Sequence, residues 1–515
     1  MPDDFEPRQT RTPGGEDGSA AADTGAALRQ ELAPGDHHPS LDPEDWAAFR
    51  AQAHAALDTM LTTIESIEDA PVWQPMPQEV RDRFTQPISD DGQAFQDVLN
   101  TFERDIAPFA TGNRHPLFMG WVHGSGTPVG MVAEMLSAGL NANCGGRDHV
   151  GLAVEAQIVR WATALFGFPA TASGLCVTGT SMANFLAVLI ARDHALGHAV
   201  RATGLREAAG QLTAYASVEA HGCVMQALEM AGIGRDHVRL IDTDATGGLS
   251  PEALQAAIAR DRAAGLRPFY LAATAGAVNT GAFDDLQALS AIAEAHDLWF
   301  HIDGAFGALT ALAPALAHHV RGIDKAHSIA FDFHKWGHVP YDAGFLLVRD
   351  GEAHKATFAA PASYLQRATR GLAAGETWPC DLGPDLSRGF RALKVWFTLQ
   401  TFGARRIGES IAHCCTLARV LEAQLAATGL FDVVVPARLN VVCWRVRDPG
   451  AAGDALNGEI IADLHEQGLA VPSPTTIGGR AAMRAAIINH RTTHGHIDRL
   501  IAHLTRLTRE KLARL

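Results

Sequence analysis

Between about residues 115 and 350 the chain alternates short β-rich runs with helical segments, and this alternation constrains its fold most. Helical stretches such as Asp284–His296 separate runs of strand-like length and composition. Strands that alternate with helices predict an α/β fold whose mostly parallel sheet is covered by helices on both faces. The predicted strands are Leu175–Val177, Leu212–Ser217, Val238–Asp242, Phe269–Ala273, Leu298–Asp303, Ser328–Asp332 and Gly344–Val348.

The rest of the chain divides into further parts. Residues 1–38 hold almost no large apolar side chains, so burial cannot offset their ordering entropy, and we predict a disordered tail. Residues 39–114 begin with a helix-start signal, Asp42-Pro43-Glu44-Asp45, and predict a helical arm that packs on a partner subunit. Residues 115–386 form the predicted large domain, and residues 387–515 a small α+β domain. Its predicted elements are Leu393–Leu425, Val433–Val435, Val441–Val446, Met483–Ile488 and Ile497–Leu512.

Composition excludes several classes of function. A net charge of −15 argues against nucleic acid or an anionic membrane as the main partner. Seven cysteines without C-x-x-C or zinc-site spacing predict reduced thiols in a cytoplasm and no metal site. The N-terminus lacks the basic and apolar regions of a signal peptide. Trp161–Ala191 could span a bilayer by length, but its glycines and Pro169 favour a helix, a turn and a buried strand.

A glycine turn, Thr178 to Asn184, follows the first predicted strand and opens a helix. Glycine allows close approach of the backbone, and a helix N-terminus offers free N–H groups to a phosphate. The hydroxyls of Thr180 and Ser181 add donors. An ordinary strand–helix turn would have a similar sequence. The turn matches neither nucleotide-binding glycine pattern, so a nucleotide is not indicated.

Three further side chains follow predicted strands. Asp303 ends a strongly apolar strand, where a carboxylate is costly to bury without a partner. Lys335 follows another strand, and His221 follows Tyr215–Ala220. Ligands of open α/β sheets bind beyond the carboxyl ends of the strands. A lone histidine or lysine is usually structural or solvated, so each residue alone decides little.

Together, the glycine turn, His221, Asp303 and Lys335 predict pyridoxal 5′-phosphate (PLP) as cofactor. A lysine amine can bind the aldehyde covalently once it is partly neutral, and desolvation lowers its pKa in that direction. An aspartate keeps the pyridine nitrogen protonated, so the ring can accept electrons. A histidine at the same sheet edge can lie on the ring.

From about Leu41 onwards the chain resembles the group II PLP-dependent amino-acid decarboxylases, the family of aromatic-L-amino-acid decarboxylase. The motifs that carry the resemblance are His115-Pro116-x-Phe118, Gly174 with Gly179–Asn184, Ala216-Ser217 with Ala220-His221, Thr274–Gly276 with Asn279–Asp284, His301–Phe306, His334–Trp336, Leu386–Lys394 and Asn489–Thr492. The resemblance implies fold type I of the PLP enzymes and decarboxylation of an aromatic or bulky L-amino acid to the amine and CO₂. It also implies a homodimer with active sites at the subunit interface.

The resemblance also implies a role for each matching residue. Lys335 would bind PLP covalently, Asp303 would pair with the ring nitrogen, and His221 and Ala305 would cover the two ring faces. His334 would handle a proton near the scissile bond. Phosphate would be held by Thr180, Ser181, Ser328 and Asp332, with Thr274 near the cofactor. The substrate pocket would include Trp121, Val122 and His123.

One departure from the family leaves the reaction outcome open. Aromatic-amino-acid decarboxylases carry a loop tyrosine that helps to protonate Cα, and residues 366–386 contain none. Ala277 and His327 also stand where many relatives have threonine and aspartate. The alternatives are a decarboxylating aldehyde synthase or an aminotransferase on the same fold. A catalytically silent PLP-binding protein is a further alternative, which the intact Lys335, Asp303 and His221 disfavour.

Overall fold

The computed structural model describes residues 40–205, 210–359, 367–375 and 377–514. The tail predicted to be disordered, residues 1–38, lies outside them. Two compact units are present, with the boundary between Asp58 and Thr59. The second unit contains every strand of the described chain.

In the part of the chain that the structure describes, seven strands form the large sheet, in the order β1-β7-β6-β5-β4-β2-β3. Strands β2 to β6 pair in parallel, and β7 runs antiparallel to its neighbours β1 and β6. Their apolar runs suit burial on both faces, as parallel sheets require. The strands are β1 Ser173–Val177, β2 Leu212–Ser217, β3 Val238–Ile241, β4 Arg267–Thr274, β5 Trp299–Asp303, β6 Ser328–Asp332 and β7 Gly344–Val348.

Helices connect these strands and cover the sheet. One core cluster joins helices of one face to residues such as Leu271, Ile302 and Ile329, and another joins the opposite face to Ala272 and Ala330. Within the described residues up to Phe358, the α-helices are α1 Trp46–Glu65, α2 Gln78–Arg83, α3 Phe95–Thr101, α4 Pro128–Leu140, α5 Val150–Phe166, α6 Thr180–Leu196, α7 Val200–Thr203, α8 Gly222–Met230, α9 Pro251–Ala263, α10 Leu286–His296 and α11 Gly351–Phe358.

The C-terminal part builds a second, antiparallel sheet in the order β10-β11-β9-β8. Residues Leu117–Met119 pack into its core with Trp444 and Leu464, so this core also draws on the chain before β1. The strands are β8 Phe431–Val435, β9 Val441–Val446, β10 Ser473–Ile477 and β11 Arg480–Ala486. The helices are α12 Arg391–Ala427, α13 Ala455–Glu466 and α14 His494–Leu512.

The structure confirms the predicted α/β class and corrects three local expectations. The first helix begins at Trp46, because the Asp45 carboxylate accepts hydrogen bonds from Ala47 N and Ala48 N; Asp42 does not cap it. The long helix α12 is broken at Gly403, whose φ of 69° lies in the left-handed region. Strand β10 was not predicted. Within the described residues, no helix has both the length and the apolarity needed to cross a bilayer.

A buried ion pair anchors the segment that precedes α12. Arg388 Nη2 lies 2.6 Å from Glu155 Oε1, and its Nη1 lies 3.0 Å from Oε2. The guanidinium also donates to the carbonyls of Cys144 and Cys176. Both partners are buried, so removal of one charge leaves the other without compensation.

We therefore expect Arg388→Leu to lower the free energy of unfolding by about 3–5 kcal/mol. The matched control is Arg447→Leu, which breaks an exposed pair with Asp432 and should cost about 0–1 kcal/mol. Urea denaturation with an unchanged slope measures both values. Equal losses in the two variants would refute a special role for the buried pair.

Candidate active site

Several polar side chains meet at one edge of the large sheet. Thr274, Asp303 and Asp332 are the last residues of β4, β5 and β6, which run in parallel. Parallel strands present their carboxyl ends to the same edge, where ligands bind in open α/β sheets. His221 caps α8 after β2, and Lys335 follows β6 by three residues.

A cavity of about 510 Å³ opens at this edge. It brings together twelve of the thirteen residues predicted from sequence to form the site. These are Trp121, Val122, His123, Thr180, Ser181, His221, Thr274, Asp303, Ala305, Asp332, His334 and Lys335. Cys223, Gly276, Val278, Phe306 and Tyr341 also line it and were not predicted.

The glycine turn ends in a helix N-terminus that faces the cavity. Helix α6 begins at Thr180, and the turn packs so closely on β7 that a Cβ on Gly344 would lie 2.3 Å from Gly179 Cα. The Thr180 hydroxyl is buried and has no hydrogen-bond partner within the described chain. A buried unpaired hydroxyl at a helix N-terminus is a site that an anion can satisfy.

Lys335 is held by a neighbouring carboxylate. Its Nζ lies 2.9 Å from Asp332 Oδ2, and Asp332 Oδ1 accepts a hydrogen bond of 2.7 Å from Thr180 N. Burial disfavours the charged amine, but the attraction of Asp332 outweighs it and raises the pKa of Lys335. The sequence predicted that desolvation beside the cationic cofactor ring lowers the pKa of Lys335, and it gave no sign that Asp332 pairs with the amine.

Three hydrogen-bond donors contact the carboxylate of Asp303. Its Oδ2 accepts from Asn184 Nδ2 at 3.0 Å, and its Oδ1 accepts from Ala305 N at 3.1 Å. The Cys223 thiol lies 3.9 Å from Oδ2. Burial of the thiol and, to a smaller extent, the negative charge of Asp303 raise the pKa of Cys223 to about 12. Donors to a carboxylate stabilise its ionised form.

His334 lies between Asp332 and Tyr341. Its Nδ1 accepts from Ala343 N at 3.1 Å, so in the neutral ring Nε2 carries the proton, 3.5 Å from Asp332 Oδ2. Burial lowers the pKa of His334, which favours that neutral form. The phenol of Tyr341 accepts from Gly124 N at 3.1 Å, and its ring centroid lies 4.3 Å from that of His334.

Ser328 does not reach the cavity, so its predicted role in phosphate binding is wrong. It is the first residue of β6, whereas the cavity lies beyond the last, Asp332. Its hydroxyl is fully buried and lies 2.8 Å from both Trp299 Nε1 and His301 Nδ1. The position of Ser328 on the strand could have indicated this, since residues at opposite strand ends cannot share one small ligand group.

These residues fit PLP in charge and in donor set. The orphaned Thr180 hydroxyl and the α6 N-terminus suit a phosphate, and the amine of Lys335 lines the same cavity. Asp303 provides a buried carboxylate with room for one more donor, such as a pyridinium N–H. PLP needs all three kinds of group within one pocket.

Comparisons with known proteins agree with this fit. Residues 77–447 match the model of the pyridoxal-dependent decarboxylase conserved domain. The aromatic-L-amino-acid decarboxylase of Bacillus atrophaeus is 30% identical over 474 residues, covering 90% of this chain and 96% of the relative. The phenylacetaldehyde synthase of Arabidopsis thaliana is 27% identical, covering 89% and 95%.

Solved structures of the same kind share the fold. The structure of Oryza sativa TDC with PLP and tryptamine matches with a TM-score of 0.83 at 25% identity, covering 92% of this chain and 99% of that one. The family model covers well over half of the chain, and the relative from Bacillus is similar over nearly its whole length. The chain therefore belongs to the pyridoxal-dependent decarboxylase family and is a PLP-dependent amino-acid decarboxylase.

Proposed function

We propose that Lys335 binds PLP covalently and that Asp303 pairs with the ring nitrogen. The observation that carries this proposal is that a buried carboxylate, Asp303, and an amine, Lys335, line the same cavity. Bound PLP supplies an electron acceptor for the pair that is left on Cα when the bond to the carboxylate breaks. His221 and Ala305 would cover the two ring faces, and Thr274 would lie close to the cofactor.

Phosphate is held at the N-terminus of α6 by Thr180 and Ser181. The sequence suggested that Asp332 holds the phosphate. A carboxylate has only acceptor oxygens and cannot donate to a phosphate, so Asp332 has a different role. It fixes the turn through Thr180 N and orients the amine of Lys335, to which it is ion-paired. Asp332 is thus a positioning residue.

The substrate is an aromatic L-amino acid. Trp121, His123, Phe306 and Tyr341 supply aromatic rings to the cavity, while Val122 and Val278 add aliphatic surface. A wall of this composition favours a substrate with a flat apolar side chain. Pairs of aromatic rings contribute binding free energy in addition to that of the apolar area they bury. Relatives named as decarboxylases of tyrosine and tryptophan support the same class.

The product is the amine, and a product-resolved assay tests this. Purified enzyme with added PLP is incubated with each of the twenty common amino acids, and CO₂, amine, ammonia and hydrogen peroxide are measured. We expect CO₂ and amine in equal amounts, with an aromatic substrate turned over fastest. Equal turnover of small aliphatic substrates would contradict the proposed substrate class.

Aldehyde formation is the second candidate, and one sequence feature favours it. Residues 366–386 hold no tyrosine, so Cα needs another proton donor. His334 and Tyr341 are the candidates on the cavity wall; burial raises the pKa of Tyr341, so its phenol keeps its proton. In the same assay run in air, aldehyde, ammonia and peroxide formed with consumption of one O₂ per CO₂, and little amine, would support the second candidate.

We further propose a homodimer in a reducing compartment such as the cytoplasm. Many of the exposed large apolar side chains fall between residues 84 and 150 of the sequence, and exposed apolar surface suits a subunit interface. They include Phe84, Ile88, Phe95, Val98, Met135, Leu140 and Val150. All seven cysteines are free thiols, as expected where disulfides do not form. Sedimentation of the purified protein measures the assembly state.

A further inference from the structure

Asn184 links the Asp303 carboxylate to the protein interior. It lies on α6, one turn after Thr180, and is 1% exposed. Its Nδ2 is 3.0 Å from Asp303 Oδ2. An ionised carboxylate only accepts hydrogen bonds, so the amide must present its NH₂ group to Asp303. The Asn184 oxygen therefore faces away from the site.

The imidazole of His301 lies against the Asn184 oxygen, and this contact decides which ring nitrogen carries the proton. His301 Nε2 is 2.9 Å from Asn184 Oδ1, which only accepts, so Nε2 carries the hydrogen. The residue is fully buried, and burial lowers the pKa of His301 to about 3, so the ring is neutral. In a neutral imidazole the other nitrogen, Nδ1, must then accept.

Ser328 and Trp299 continue this series of hydrogen bonds, with the same direction of donation. Ser328 Oγ lies 2.8 Å from His301 Nδ1, so its hydroxyl donates to that nitrogen. Trp299 Nε1, which can only donate, lies 2.8 Å from the same oxygen. Asn184 Nδ2 also lies 3.2 Å from Cys223 Sγ, and every other contact along this path pairs a donor with an acceptor. Donation therefore runs one way, from Trp299 through Ser328, His301 and Asn184 to Asp303.

We propose that Trp299, Ser328, His301 and Asn184 form a hydrogen-bonded relay that holds Asp303 in the orientation that binds the ring nitrogen. The proposal rests on the proposed role of Asp303. These four are positioning residues: their side chains are absent from the cavity wall, and they act through the carboxylate. The relay also gives Ser328 a function, in place of the phosphate contact that the sequence suggested.

A purely structural reading accounts less well for the relay. Apolar side chains of similar volume would fill this interior without the desolvation cost of four polar groups. The relay is instead polar throughout and ends on a buried charged group, Asp303. Residues that orient metal ligands from behind cost roughly 10–100-fold in metal affinity or activity when they are lost, and we expect an effect of the same size behind Asp303.

The test compares variants in the full-length enzyme loaded with PLP that carries ¹⁵N at the pyridine nitrogen. Asn184→Leu and His301→Phe remove the relay, whereas His301→Gln keeps a side-chain N–H that can donate to Asn184 Oδ1. Thr398→Val is the matched control, because Thr398 is fully buried but bonds only the backbone of Lys394 in α12. The ¹⁵N shift of the bound cofactor and the separate kcat and KM are measured, with folding checked by circular dichroism.

We expect Asn184→Leu and His301→Phe to lower kcat by roughly 10–100-fold with little change in KM, and to move the ¹⁵N resonance towards the unprotonated ring. His301→Gln and Thr398→Val should stay close to the wild type in both readouts. A wild-type ¹⁵N shift and kcat in the first two variants would overturn the proposal, as would a His301→Gln variant as impaired as His301→Phe. An active Asp303→Asn enzyme would instead overturn the proposed function, so the two failures are distinct.

Discussion

Replacement of Lys335 by alanine should remove the visible absorbance of the bound cofactor and reduce decarboxylation by roughly 10⁴-fold, the upper range for one positioned acid–base side chain. The effect is large because the variant loses the amine that holds the cofactor covalently. It also leaves Asp332, which lies 2.9 Å from that amine, without its ion-pair partner. Absorbance spectra and steady-state rates of the purified variant measure it.

Two further variants separate chemistry from charge. Lys335→Arg keeps a cation beside Asp332 but cannot lose its proton, so it should be as inactive as the alanine variant. Lys325→Ala removes an exposed lysine that pairs with Asp324 and should leave both spectrum and rate unchanged. An Lys335→Ala enzyme with the wild-type spectrum would exclude Lys335 from cofactor binding.

Asp303→Asn should retain PLP yet lose on the order of 10³-fold in kcat. The amide has nearly the size of the carboxylate, so the local packing survives, although its single oxygen can accept from only one of the two donors, Asn184 Nδ2 and Ala305 N. It carries no charge, so the ring nitrogen is no longer held protonated and the electron pair on Cα is poorly stabilised. Cofactor content by absorbance and kcat by CO₂ release measure the two effects separately.

Asp193→Asn is the matched control for this variant. Asp193 is also almost fully buried and also carries a carboxylate, but it pairs with Arg192 and does not line the cavity. We expect its replacement to reduce stability and to leave kcat per bound PLP unchanged. If Asp303→Asn behaves in the same way as Asp193→Asn, Asp303 has no electronic role.

The large sheet was predictable because its strands are apolar runs separated by helical segments. Strand β10 was not, since Ser473–Ile477 contains a proline and two threonines and pairs only with β11 at a sheet edge. The break of α12 at Gly403 was also missed. A single glycine within an apolar helical pattern gives no sign of its φ, which tertiary packing decides.

The cavity residues were largely predictable because carboxyl ends of parallel strands converge. Asn184 was quoted only as part of a motif, although its spacing from Thr180 on a helix places both on one face. Tyr341 gave no usable signal, because it lies in an irregular segment before β7. Ser328 was misassigned because a motif carries no information about which end of a strand faces a ligand.

The central claim is that the amine of Lys335 and the carboxylate of Asp303 bind one PLP molecule from two sides. Borohydride reduction of the PLP-loaded enzyme, followed by peptide mass mapping, tests the covalent side most directly, since reduction fixes the cofactor to its lysine as a stable amine. We predict the pyridoxyl group on the peptide that contains Lys335, in the wild type and in Asp303→Asn alike. A label on another lysine, with Lys335 unmodified, would contradict the account.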